Sequence, residues 1–107
     1  MKFGLPISSI ERVRAVFSSH LEVEKVVLYG SRATDTFKNG SDVDLTIKGT
    51  NLNLTILNQI DAELDDLLLP WSFDLSIYSQ VTNVSLLDHM NRVGVVFYER
   101  KSPCRSE

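Results

Sequence analysis

Cysteine is nearly absent: Cys104 stands alone, so no disulfide can form within the chain. A reducing cytoplasm is therefore the expected setting. Cys104 lies in a polar tail and reads as an incidental thiol. There is no apolar run near the roughly 20 residues of a membrane span. The opening Met1-Lys2-Phe3-Gly4-Leu5-Pro6 lacks the apolar stretch of a signal peptide. Positive charge is also scarce. Lys and Arg number 11 against 14 Asp and Glu, a formal net charge of −3. Proteins that grip DNA or RNA usually carry a basic patch. Here only the short tail Arg100, Lys101 and Arg105 is basic, which argues against a nucleic-acid substrate.

What remains is ordinary globular material: 43% hydrophobic and 23% charged over 107 residues, enough for one domain with one core. Ser8-Ser9-Ile10-Glu11 has the spacing of a capping box, with Ser8 as N-cap. Ile10, Val13, Val16 and Phe17 recur at helical spacing and predict a helix to about His20. His20 is then placed to interact with the helix dipole. Lys25 to Tyr29 is short, β-branched and apolar on both faces, which predicts an interior strand. Gly30-Ser31 stops it. A short helix is expected from Ser31 to about Phe37, then a turn at Lys38-Asn39-Gly40.

Ser41 to Lys48 alternates as a strand does. Val43, Leu45 and Ile47 point one way; Asp42, Asp44, Thr46 and Lys48 point the other. Ile56, Leu57, Ile60, Leu64, Leu67 and Leu68 predict an amphipathic helix that stops before Pro70. Asp61, Glu63, Asp65 and Asp66 form its solvated face. Trp71 to Tyr78 alternates again, with Asp74 on the polar face. A helix from Val84 to about Arg92 and a strand over Val95–Tyr98 complete the order, and the residues from 99 on are expected to fray. The expected fold class is α/β (α+β), a single domain over 1–107 with its core at about 7–98.

The chemistry is concentrated in "LYGSRATDTFKNGSDVDLTI", Leu28 to Ile47. Asp42 and Asp44, i and i+2 on a strand, share a face about 7 Å apart at Cα. That spacing lets both carboxylates converge on hard cations. Magnesium favours carboxylate, phosphate and water oxygens over an all-protein cage. If the strand of Asp74 is a neighbour, a third carboxylate joins them. The Gly30-Ser31 turn aims backbone N–H groups at one spot, and a following helix would put its dipole behind them. The Ser31 hydroxyl can donate to a phosphate oxygen, and Arg32 or Lys38 can neutralise it.

Taken singly, each feature has a bland reading: Gly-Ser a turn, D-x-D a solvated strand face, Asp74, Arg32 and Lys38 surface charges. Tyr78 and His89 are candidates to lie near the site, with packing as the expected role of each. Together and in this order, Gly30-Ser31, ten residues and Asp42-Val43-Asp44 resemble the signature of the DNA polymerase β-like nucleotidyltransferase superfamily. The length, and Asp74 within "LPWSFDLSIYS", resemble its smallest members, the minimal nucleotidyltransferases (MNT proteins). The likeness covers about Val26 to Tyr98.

The resemblance implies a mixed β-sheet flanked by helices. It implies Asp42, Asp44 and Asp74 as catalytic residues and ligands of two Mg2+ ions. Gly30 and Ser31 would hold the β- and γ-phosphates of ATP, with Arg32, Lys38 and Ser41 as further nucleotide contacts. The implied role is that of an antitoxin that transfers AMP to a tyrosine of a HEPN-domain toxin partner. Two alternatives stand beside it: transfer to a small molecule or an RNA end, and inhibition of the partner by contact alone. The sequence departs from the family at Asp35 in "SRATDTF", where many relatives have glycine. If that position needs positive φ, Asp tolerates it less well than Gly but better than most residues.

Overall fold

The computed structural model describes residues 3–36 and 42–100. Lys38, Ser41 and the Lys38-Asn39-Gly40 turn lie outside the described residues. Three α-helices and four strands follow in the order α1 (Ile7–Ser18), β1 (Val23–Tyr29), β2 (Val43–Gly49), α2 (Leu54–Asp65), β3 (Phe73–Ile77), α3 (Val84–Val93) and β4 (Val95–Glu99).

The sheet order is β3-β2-β1-β4. β1 is interior, as its two apolar faces predict, and runs antiparallel to both β2 and β4. β2 and β3 run parallel, with α2 as their crossover. The sheet is therefore mixed. On one face Val26, Leu28, Val43, Leu45, Ile47 and Phe97 pack against Ile10, Val13 and Phe17 of α1 and Ile60 and Leu64 of α2. On the other face α3 lies against β1, through Met90 and the ring of His89 beside Tyr29.

The ends of the elements depart from the periodicity in physically explicable ways. The capping box at Ser8 does not form. α1 starts at Ile7 with Pro6 as N-cap and no side-chain cap; the Pro6 carbonyl accepts the first helical bond from Ile10 N–H at 3.1 Å. Proline's fixed φ already sets that entry. α1 stops at Ser18, so His20 lies beyond it; its Nε2 sits 3.0 Å from Glu63 Oε1 and ties α1 to α2. α2 stops at Asp65, short of the expected Leu68, which has φ 57° and is 88% exposed.

No helix forms over Ser31–Thr36: a run of turns replaces it. Asp35 has φ 63°, which an α-helix cannot contain. The Thr34 hydroxyl lies 3.3 Å from the carbonyls of Gly30 and Ser31, competing with helical bonds. The first two residues of the expected fray are held. Glu99 belongs to β4, and the Arg100 guanidinium donates to the carbonyls of Ser18, His20 and Val23 at 2.8–3.1 Å. Among the described residues no helix is long and apolar enough to cross a membrane.

Candidate active site

The alternation that sends Val43, Leu45 and Ile47 into the core sends Asp44 to the opposite face, the one shared with α3. On one side its register partner is Tyr29 of β1. On the other it is Asp74 of β3. Directly opposed residues on adjacent strands are about 5 Å apart between backbones, so the structure brings Asp44 and Asp74 to one place. Asp42 comes two residues before Asp44, just outside β2, and is exposed.

The electrostatics record this crowding. The Asp44 carboxyl is held above its usual range, first by burial, then by the charges of Asp74 and Asp42. The Arg32 charge offsets part of that. The Tyr29 phenol is also pushed up, mainly by burial, with Asp74 and Asp44 adding to it. The neighbouring Ser76 hydroxyl pulls the other way, but not through a well-formed hydrogen bond. Ser76 Oγ and its register partner Thr46 Oγ1 are both buried without a hydrogen-bond partner, two residues along the strands from the carboxylate pair and on the same face.

Gly30 follows Tyr29 directly, with φ 79°. Its backbone passes so close to Asp44 that a β-carbon there would run into the carboxylate. Its carbonyl turns inward and accepts from the N–H groups of Ala33 and Thr34 at 3.1 and 3.2 Å. Its own N–H donates to Nε2 of His89 at 3.2 Å. With no helix after Ser31, no dipole stands behind this turn.

Arg32 is placed differently from the sequence expectation. It is only 3% exposed, and its guanidinium donates to the Phe3 carbonyl at 2.8 Å. Burial lowers its pKa, while the charges of Asp42 and Asp44 raise it. It acts as a buried cation near the carboxylates. Asp35 has the positive φ that its position was suspected to need.

Of the two further residues next to the cluster, Tyr29 escaped the sequence reading, and His89 was read there chiefly as a packing residue. Tyr29 had a signal: it continues the Lys25–Val27 face of β1. His89 had none, because nothing local tells which strand end a helix 59 residues downstream will reach. Tyr78 lies apart from the carboxylates, with its hydroxyl donating to Asn91 at 3.2 Å and Lys48 over its ring.

The donor set suits hard divalent cations: carboxylates gathered at one strand end, one of them destabilised by like charge. Among the described residues no three His, Cys, Asp or Glu side chains form a ready-made metal cage. An open set of this kind leaves coordination positions for phosphate and water, as magnesium sites do. A concavity of about 690 Å³ between α2 and residues 69–73 shares no residue with the cluster.

Comparison with known proteins agrees with this geometry. The profile of the polymerase β nucleotidyltransferase family matches residues 11–103, and the chain belongs to that family. No curated protein matches significantly. Among solved structures, a toxin–antitoxin complex crystallised with AMP-PNP superposes with a TM-score of 0.68 at 16% identity, covering 91% of this chain and 76% of the other. A complex of an MNT antitoxin with the tri-AMPylated HEPN toxin of Shewanella oneidensis superposes with a TM-score of 0.66 at 12% identity, covering 88% and 72%. A nucleotidyltransferase-like protein of Sulfolobus solfataricus gives 0.52 at 20% identity, covering 91% and 92%. At these identities the likeness establishes the fold.

Proposed function

We propose that the chain is a metal-dependent nucleotidyltransferase acting as a cytoplasmic antitoxin, transferring AMP from ATP to a tyrosine hydroxyl of a HEPN-domain toxin. The observation that carries this reading is the register of Asp44 against Asp74, with Asp42 two residues away and the Gly30 turn beside them. Family membership supports the reaction class. The neighbouring folds, one crystallised with AMP-PNP and one holding an AMPylated HEPN toxin, support the donor and the acceptor.

In this reading Asp42, Asp44 and Asp74 hold two magnesium ions, which supply charge neutralisation and Lewis acidity at the phosphates when bound. Gly30 and Ser31 hold the β- and γ-phosphates, Gly30 by letting the backbone come close and Ser31 with its N–H and hydroxyl. Lys38 and Ser41 complete the nucleotide contacts. Arg32 contributes its charge from beneath the carboxylates, since its guanidinium is committed to Phe3. Asp74, on the edge strand β3, faces the acceptor and draws the proton from the tyrosine hydroxyl. The phenolic oxygen bonds to the α-phosphorus, the bond from α-phosphorus to the bridging oxygen breaks, and pyrophosphate leaves.

The partner, co-purified with wild-type protein, is expected to gain mass in whole AMP units located on tyrosine. An unmodified partner that is still neutralised would favour inhibition by contact. AMP on a small molecule or an RNA end, with none on the partner, would favour the other alternative.

Asp35 adds negative charge to the loop that follows the proposed phosphate site. Asp35→Asn keeps a side chain that tolerates φ 63° and removes the charge. Titration with ATP and Mg2+ is expected to give a Kd lowered by up to about five-fold, the scale of one exposed charge. An unchanged or higher Kd would place Asp35 outside the field of the triphosphate.

A further inference from the structure

The β1–β2 ladder ends at the pair Tyr29–Asp44, so Gly30 N–H has no strand partner. Positive φ at Gly30 turns the peptide out of the sheet, and the imidazole of His89 meets it. The same ring stands edge-on to Tyr29, with centroids 6.4 Å apart and planes at 82°. One α3 side chain thus touches the last residue of β1 by its ring and the first residue of the turn by its nitrogen. Because Nε2 accepts, the ring proton of the neutral imidazole sits on Nδ1.

This contact decides which way the turn's amides can point. A peptide pinned at Gly30 N–H fixes the plane between Tyr29 and Gly30. The inward bonds from Ala33 and Thr34 fix the Gly30 carbonyl. With both sides of Gly30 held, the Ser31 N–H and hydroxyl are presented at a set orientation. A turn lacking one of these restraints would have to be ordered by the ligand, and that ordering weakens binding.

We propose that His89 is a positioning residue for the phosphate-binding turn, holding Gly30 through its N–H so that Ser31 meets a nucleoside triphosphate already oriented. The inference rests on the nucleotide reading of the site. It makes nucleotide affinity depend on the docking of α3, whose Met90 is buried against the same sheet face.

The test compares His89→Leu, which removes the acceptor, with His89→Gln, whose side-chain carbonyl can accept the same N–H. Both are taken only if their thermal unfolding remains cooperative. In metal-free and nucleotide-free protein, amide hydrogen exchange at Gly30 is expected to be slow in wild type and His89→Gln and fast in His89→Leu. Titration with ATP and Mg2+ is expected to give a Kd about 5- to 10-fold higher for His89→Leu, the scale of one hydrogen bond. His89→Gln should recover most of that. In turnover assays KM should rise with Kd, while kcat stays within about two-fold, because His89 touches no reacting atom in this reading.

Equal nucleotide affinity in wild type and His89→Leu would overturn the proposal and leave the nucleotide reading standing. Tighter binding by His89→Leu would also overturn it, by making the imidazole a competitor of the phosphate. A wild-type protein that binds no nucleotide would overturn both.

Discussion

Asp44→Asn is expected to melt at a higher temperature than the wild type and to transfer no nucleotide. The two effects have one cause. Burial and the charges of Asp74 and Asp42 hold the Asp44 carboxyl above its ordinary range. The folded protein therefore binds that proton more tightly than the unfolded chain does. The sign follows by linkage: stability falls as pH rises from the ordinary carboxylate value through the raised folded value. At pH 7 the penalty is fully present, and a neutral amide of the same shape removes it. Partial exposure to solvent keeps the effect small, so the metal-free protein should gain about 2–5 °C in Tm. The gain should shrink as pH falls toward about 4, where the unfolded carboxyl also protonates.

Function moves the opposite way. An amide is a poorer ligand for a hard cation than a carboxylate, and the site loses several kcal/mol of transition-state stabilisation. AMP transfer should drop at least about a thousand-fold. Adding Mg2+ should raise the Tm of wild type and leave Asp44→Asn nearly unmoved. Scanning calorimetry with and without Mg2+, beside a labelled-AMP transfer assay, checks both halves. A lower Tm at pH 7, or transfer retained within ten-fold, would falsify the view of Asp44 as a strained metal ligand.

The sequence was legible where a side chain's direction follows from its own neighbours. Val43, Leu45 and Ile47 had to enter the core, so Asp42 and Asp44 had to be on the other side of β2. The same alternation set Asp74 opposite Phe73 and Leu75. What alternation could not supply was register between strands. That Asp44 and Asp74 share a rung depends on the length and docking of α2, a property of the packed chain. Thr46 shows the limit from another side: it follows the polar face as predicted, yet it is fully buried because α3 closes over that face. The misread element ends were decided by single residues that outweighed the pattern: Pro6 in place of Ser8, Asp35 within an apparent helix, Leu68 at positive φ. His89 reached Gly30 from the far end of the chain, and no local spacing points there.

Gly30→Ala adds one carbon and is expected to damage transfer far more than stability. The alanine must hold φ near 79°, which costs roughly 1–2 kcal/mol for a residue with a β-carbon. That alone lowers Tm by about 4–16 °C in a chain of this size. The second consequence concerns position. The new β-carbon would overlap the Asp44 carboxylate and lie 3.2 Å from its Cγ. Because the obstacle is the end of a side chain, the collision is relieved by rotating Asp44 aside, at little cost to the fold. A carboxylate displaced by about 1 Å no longer shares a cation with Asp42 and Asp74, and misplacement on that scale costs on the order of a hundred-fold in rate. Gly49→Ala is the control, since its β-carbon would meet the backbone carbonyl of Glu22, with no site residue among its nearest neighbours. It should unfold earlier, yet keep its transfer rate per folded molecule. Rates normalised to the folded fraction, with Tm measured for both variants, separate the two cases. Equal normalised rates in Gly30→Ala and wild type would mean that the close approach of Gly30 to Asp44 has no part in catalysis.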